Sequence, residues 1–230
     1  MTTTVFSPGD ATDGQINSNS TVYSTARSTA SSVDDAPALE TCGQRFLTPN
    51  YVCWETFHNF DTSSIPDGDV VQSVVLSLWG GGNNSDTDFT LEARLHTWGS
   101  PLVIGDWVAG DSLASKTLLA TFDTTAWTNG AYNAFTSEVA FAANINKIGK
   151  TYIFLSSSRH RIGNTPTGNE YIQITPAETA GTANDPKLVV THVGGFIPVE
   201  PPWPYGSGGA KSDRLSPTRR TRQTQPIQGG

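Results

Sequence analysis

Residues 89–98 read FTLEARLHTW. Phe89, Leu91, Ala93 and Leu95 fall on one face of an extended chain, and Thr90, Glu92, Arg94 and His96 on the other. Side chains of a strand alternate between two faces, whereas a helix would scatter these positions around its axis. The stretch reads as a strand with one buried face. Trp98 shares parity with the polar residues, which makes it the best candidate for an exposed ring, although packing is the commoner role of a Trp in a small sandwich.

The same period recurs along the chain. VVQSVVLSLWG (70–80) places Val74, Leu76 and Leu78 together, and KTLLATFDT, TYIFLSSS, NEYIQITP and PKLVVTHV are further strand candidates. Turn signals separate them: IPDGD, GGGNNSD, WTNG, GNTPTGN and TANDP. SEVAFAANINKIGK (137–150) is the one short helix candidate, and its apolar positions Val139, Phe141, Ile145 and Ile148 are only loosely helical in spacing. Many antiparallel strands with one apolar face predict an all-β fold. Two sheets packed around one core make it a sandwich of jelly-roll or Greek-key type. This domain is expected over residues 1–194. Residues 195–230 form a Pro/Gly/Arg-rich C-terminal extension, whose composition supports no packed core of its own.

Bulk composition agrees. Charged residues are 15% of 230, against about 25% in ordinary domains. Thr occurs 30 times, against 14 Lys plus Arg, and there are 22 Gly and 14 Pro. A chain polar without being charged suits short strands and many turns. The net charge is −7 and uneven. Residues 1–197 hold 9 basic and 19 acidic residues, and residues 198–230 hold 5 and 2. An acidic body argues against phosphate-directed nucleic-acid binding. No apolar run reaches the roughly 18 residues of a membrane span. The opening residues lack the basic and apolar regions of a secretory signal. Cys42 and Cys53 flank a hairpin candidate, RFLTPNYV, in which a tight turn near Pro49 sets Cys53 opposite about Arg45 rather than Cys42. Free thiols are the expectation, with a disulfide requiring a bulge or a wider loop.

The stretch ETFHNFDTSSIPDGDVVQSVVLSLW (55–79) resembles the DNRLRE-type domain, a jelly-roll module related to carbohydrate-binding modules. LEARLHTWGSPLVIGDWVAG, TYIFLSSSRHRIGNTPTGNEYIQI and TANDPKLVVTH are similar to later strands of that family, in the same order, so the resemblance covers roughly residues 5–193. Physical chemistry accounts for these motifs without a ligand. In FDTSSIP, Phe60 leaves the core strand, Asp61 and the hydroxyls of Thr62 and Ser63 can bond turn amides, and Pro66 blocks further pairing. The motifs therefore specify the fold and say little about activity. The phrase FSPGDATDG (6–14) is similar to the opening of bacteriophage tail proteins. That resemblance implies a virion protein made in the host cytoplasm without a signal peptide.

Candidate chemistry is sparse. GDSL (110–113) shares its letters with an esterase motif, but Asp106, Trp107 and two glycines place it in a loop, and no Asp stands three residues before any histidine. His58, His96, His160 and His192 lie far apart. His192 has core parity with Leu188 and Val190, and His160, between Arg159 and Arg161, reads as part of a solvated loop. The pairs Asp34/Asp35, Asp67/Asp69 and Asp86/Asp88 offer oxygens to a structural Ca²⁺, which needs six or more. No other cofactor is implied. Exposed flat rings stack on sugar faces, so Trp98, Trp107 and Arg94 are the candidate glycan-binding residues. In the extension, Trp203, Tyr205, Arg214, Arg219, Arg220 and Arg222 are candidate anchors for a partner. The chain thus reads as a non-enzymatic bacteriophage structural protein, a minor tail or surface decoration protein. Its expected partners are other virion proteins and further copies of itself. The competing reading is an adhesion module that binds host-wall glycans.

Overall fold

The computed structural model describes residues 1–9, 13–177 and 183–195. Met1–Gly195 is one unit, and Phe196–Gly230, a second unit, lies outside the described residues together with the six candidate anchors. The chain is all-β. Its strands are β1 (Thr2–Phe6), β2 (Gly14–Ser20), β3 (Ser32–Asp34), β4 (Glu40–Leu47), β5 (Asn50–Asp61), β6 (Val70–Ser85), β7 (Thr90–Leu95), β8 (Leu118–Asp123), β9 (Tyr132–Ala134), β10 (Thr136–Ser137), β11 (Lys150–Ser157), β12 (Asn169–Ile174) and β13 (Lys187–Val193). Three short helices interrupt them: α1 (Tyr23–Ser28), α2 (Val139–Ala143) and α3 (Ser158–Ile162).

The strands hydrogen-bond in the order β1-β13-β6-β12-β4-β5-β11-β7-β8-β10, every pair antiparallel. The 16-residue β6 serves two neighbours, pairing β13 through its first half and β12 through its second. β9 also lies on β6, whereas β10, one residue further on, lies on β8. Phe135 sits between them, and its amide donates to the Leu76 carbonyl at 2.8 Å. The far end of the strand path is thereby tied back to its beginning.

One core cluster draws on both halves of that path. Leu76, Leu78, Leu188 and Val190 from β6 and β13 join Leu91, Ala93, Ile153 and Leu155 from β7 and β11. A second cluster, Ile16, Phe57, Trp98, Leu102, Val108, Leu113 and Phe154, covers the other face of β5 and β11. The central strands are therefore buried on both faces. This corrects the expectation drawn from FTLEARLHTW. Leu91 and Ala93 do line the first core, but Glu92 and Arg94 opposite them are 4% and 6% exposed, because α3 and the 97–116 segment close over that face.

Three further expectations are revised. The candidate helix of 137–150 shrinks to the five residues of α2; Phe141 and Ile145 are buried, while Val139 and Ile148 stay in solvent. GGGNNSD is not a turn but the second half of β6, paired with β12 as far as Ser85. GDSL does lie between strands, wound into a 3₁₀ turn (Gly110–Ser115). Gly110 is packed so closely that a Cβ there would lie 2.7 Å from Arg27 Nε and 2.9 Å from the His160 carbonyl oxygen. In the β4–β5 hairpin, Leu47 pairs Asn50, which sets Cys53 opposite Gln44 and Arg45 opposite Val52. Both cysteines are free and buried. Burial pushes the Cys53 thiol up to about 12 and holds Cys42 well above the ordinary thiol range, so neither is poised as a nucleophile.

Candidate functional site

One candidate site among the described residues is a cleft of about 260 Å³ where β7 ends and β11 begins. Leu95, Thr97, Asn144, Asn146, Lys150, Thr151 and Tyr152 line it. The FDTSSIP turn fixes its floor. Asp61 accepts from the Ser63 amide at 3.1 Å and the Ser63 hydroxyl at 2.6 Å. These bonds hold the exposed Asp61 carboxyl below its ordinary range. The buried Thr62 hydroxyl meets the carbonyls of Asn146 (2.6 Å) and Gly149 (3.1 Å) and the Thr151 hydroxyl (2.8 Å). Asn146 closes its own loop, donating to the Lys150 carbonyl at 3.1 Å and accepting from the Ile148 amide at 3.2 Å. Asn144 ends α2 by donating to the Ala140 carbonyl at 2.8 Å.

Tyr152 supplies the aromatic wall. Behind it stands Trp98, edge-on at 4.7 Å between ring centroids, and behind Trp98 stands Phe57, edge-on at 5.2 Å. Trp98 is 5% exposed. It packs as a buried support for the cleft, the commoner role of such a Trp, and is not an exposed glycan platform, because the face it belongs to is covered. Trp107 is half-buried, its ring 5.4 Å from that of His160. Arg94 is held by Glu92 at 2.9–3.1 Å and by the Lys116 carbonyl at 2.6 Å, so its donors point inward. The structure does not bring Trp98, Trp107 and Arg94 together on one surface. Tyr152, Asn144 and Asn146 were missed by the sequence reading. Their one signal was the Tyr-bearing strand that follows NINKIGK.

The buried ionisable groups act as internal braces. Glu92 receives Arg94 and also Arg161, the latter through Nε and Nη2 at 2.8–3.0 Å. Glu170 takes Arg159 at 2.6 and 3.0 Å and the Gln44 side-chain amide at 2.7 Å. Arg27 on α1 reaches Asp111 and the carbonyls of His160 and Arg161, joining α1, α3 and the Gly110–Ser115 turn. His160 is fully buried on α3, not solvated, because this Arg27 contact draws its helix against the body. Its Nδ1 lies 3.8 Å from Glu55 Oε1, and its Nε2 lies 3.2 Å from the Arg27 carbonyl. Burial lowers His160 to about 4 and raises the Glu55 carboxyl well above its ordinary range, against the opposing bond from the Val108 amide. His58 sits between Glu40 (3.3 Å) and Asp13 (3.9 Å), all three buried.

At least one carboxylate of each pair is engaged locally or by a partner: Asp34 accepts from the Ala36 amide at 3.4 Å and Asp88 from the Thr124 hydroxyl at 3.4 Å. Asp86 accepts from the Asn169 amide at 2.9 Å, and Asp69 meets His192 Nδ1 at 2.7 Å. Among the described residues, no group of three or more His, Cys, Asp or Glu is placed to hold a metal ion. No described helix is long and apolar enough to cross a membrane. The chain matches no protein-family model, and no curated protein matches it.

Proposed function

We propose that this chain is a structural protein of a bacteriophage virion, a minor tail or surface decoration protein. The observation that carries the reading is how the body uses its charged side chains. Glu92, Glu170 and Arg27 each tie several elements together from within, which gives a stiff scaffold. We read that scaffold as a jelly-roll sandwich of the DNRLRE type. Two observations support this: one core shared by both halves of the strand path, and an FDTSSIP turn in which Asp61, Thr62 and Ser63 bond within the body. The extension then supplies reach. A Pro-rich strand loses little entropy on ordering, and Trp203 and Tyr205 with Arg214, Arg219, Arg220 and Arg222 suit an acidic groove on a neighbouring virion protein. The test is a chain ending at Gly195, supplied to particles assembling without the full-length chain. The expected result is a folded domain that fails to join particles; normal incorporation would refute the docking role.

The cleft favours a second reading, an adhesion module for host-wall glycans. An aromatic wall beside two side-chain amides and a threonine is the composition that recognises a sugar ring. Glycan-array binding by the full chain, abolished by Tyr152→Ala in a variant with unchanged melting temperature, supports it. Absence of binding, or binding that survives Tyr152→Ala, removes the cleft from consideration.

A further inference from the structure

Five arginines lie in the body, at positions 27, 45, 94, 159 and 161. Four of them hold a carboxylate: Arg27 pairs Asp111 at 2.7 Å, Arg94 pairs Glu92 at 2.9 Å, Arg159 pairs Glu170 at 2.6 Å, and Arg161 pairs Glu92 at 2.8 Å. Arg45 on β4 is the exception. Among the described residues its guanidinium makes no ion pair and no hydrogen bond. Its Nε is buried without a partner, and its charge rests over the Trp54 ring, with Cζ 5.2 Å from the centroid. Asp86, which follows β6 beside Asn169, is committed to the Asn169 amide at 2.9 Å. A shortage of acids does not explain the exception, since residues 1–197 hold 19 of them. A buried donor without an acceptor costs free energy, and native proteins seldom carry one without a use.

The sheet face around Arg45 is rich in groups that recognise sugars. Along β12 burial alternates: Glu170, Ile172 and Ile174 are buried, while Asn169, Tyr171 and Gln173 are partly exposed. Arg45 lies opposite Asn169, and Gly43, two residues earlier on β4, lies opposite both Tyr171 and Trp54. Residues directly opposite in antiparallel strands share a face, as do residues two apart on one strand. A Cβ on Gly43 would lie 2.3 Å from the Glu170 carbonyl oxygen and 2.9 Å from Tyr171 Cβ. The bare glycine lets the Trp54 and Tyr171 rings meet across it at 5.3 Å between centroids. Asn84 stands opposite Tyr171 on β6 and donates to the Gln173 side-chain carbonyl at 3.2 Å. This face belongs to the Asn84 end of β6; Val70, at the other end, pairs Val193, close to where the described body stops.

We infer that this face binds a glycan bearing an isolated carboxylate, a uronic-acid unit within an otherwise neutral chain. The Arg45 guanidinium receives the carboxylate, which its forked donors match, and the Tyr171 ring packs on the sugar. The side-chain amides of Asn84, Asn169 and Gln173 serve the hydroxyls. A peptide carboxylate would satisfy Arg45 but leave the ring and amides without a match. The body is strongly acidic, which disfavours a dense polyanion and leaves one acidic unit among neutral ones as the fitting ligand. The site shares no residue with the Tyr152 cleft and does not depend on the virion reading, so each can fail alone.

The test is calorimetric titration of the full chain with aldobiouronic acids, disaccharides that join glucuronic or galacturonic acid to a neutral sugar. Their carboxyl-reduced forms and a blocked Gly-Glu-Gly peptide are the comparisons. The expected result is binding of a uronate disaccharide, with its reduced form weaker by at least about tenfold, as loss of a charge-assisted hydrogen bond implies. Arg45→Gln should weaken uronate binding by a similar factor, and Arg45→Lys, which keeps the charge but not the fork, by less. Both variants should melt as the wild type does, because Arg45 braces no other element. Tyr152→Ala should leave uronate binding intact. No uronate binding, equal binding of the reduced forms, or undiminished binding by Arg45→Gln overturns the proposal. Peptide binding as tight as that of the uronates also overturns it and assigns Arg45 to an acidic protein partner.

Discussion

Glu92 holds two arginines while only 4% exposed. Glu92→Ala leaves Arg94 buried without its carboxylate, a change that costs about 3–5 kcal/mol in such settings. Asp111→Asn, at the solvent end of the Arg27 pair, is expected to leave the urea midpoint nearly unchanged, because exposed pairs contribute little. Equal losses in the two variants would contradict this ranking. Trp98→Ala should destabilise by about 3–5 kcal/mol in the same assay, since it empties the contact between Phe57 and Tyr152. His160 makes stability depend on pH. Its folded-state pKa of about 4 lies below the ordinary 6.5, so its contribution is complete above pH 6.5. As pH falls from 6.5 towards 4, the unfolded chain takes up a proton that the folded chain refuses, a loss on the order of 3 kcal/mol. Glu55 runs the other way, contributing most below its unfolded value and losing that contribution as pH rises through its elevated folded value. The His160→Gln variant should therefore lose less melting temperature than wild type between pH 6.5 and 4; identical slopes would show that His160 does not carry the effect.

Elements here succeed or fail by what covers them. The Asp61–Ser63 part of the FDTSSIP turn was legible because those side chains bond within two residues, and side-chain chemistry alone predicts such turns. Its long-range part was not legible: Thr62 reaches the loop at 146–151, more than 80 residues away. Thr62→Val should destabilise by about 1–3 kcal/mol, as buried carbonyls lose their donor. Ser63→Ala, at an exposed position, should do much less, and thermal melts of the pair check the difference. The loosely periodic 137–150 segment is mostly loop, because only Phe141 and Ile145 reach the core. The candidate cleft follows the same rule. Tyr152, Asn144 and Asn146 belong to separate elements, and no local pattern marks them as neighbours.

Across the whole body, the chain's beginning is held by its end. Thr2 pairs His192 and Phe6 pairs Leu188, so β1 has no sheet partner until β13 is made. A chain ending at Pro186 should fail to give a cooperative melt, whereas one ending at Gly195 should melt as the full chain does. A cooperative transition in the shorter chain would show that β13 is dispensable. The sequence by itself determined that the fold is all-β, where most of the longer strands lie, the turns at IPDGD and WTNG, and the apolar face of β7. These properties depend on side-chain alternation and turn chemistry, which act over a few residues. GGGNNSD, a turn by its composition, instead continues β6 to Ser85 because β12 pairs with it. Tertiary structure alone decided that the polar face of β7 is covered, that Trp98 supports the cleft from within, that His160 is buried, and that β1 pairs β13. A strand's own period reports which residues lie on opposite faces. It carries no information about what a distant segment later lays over either of them.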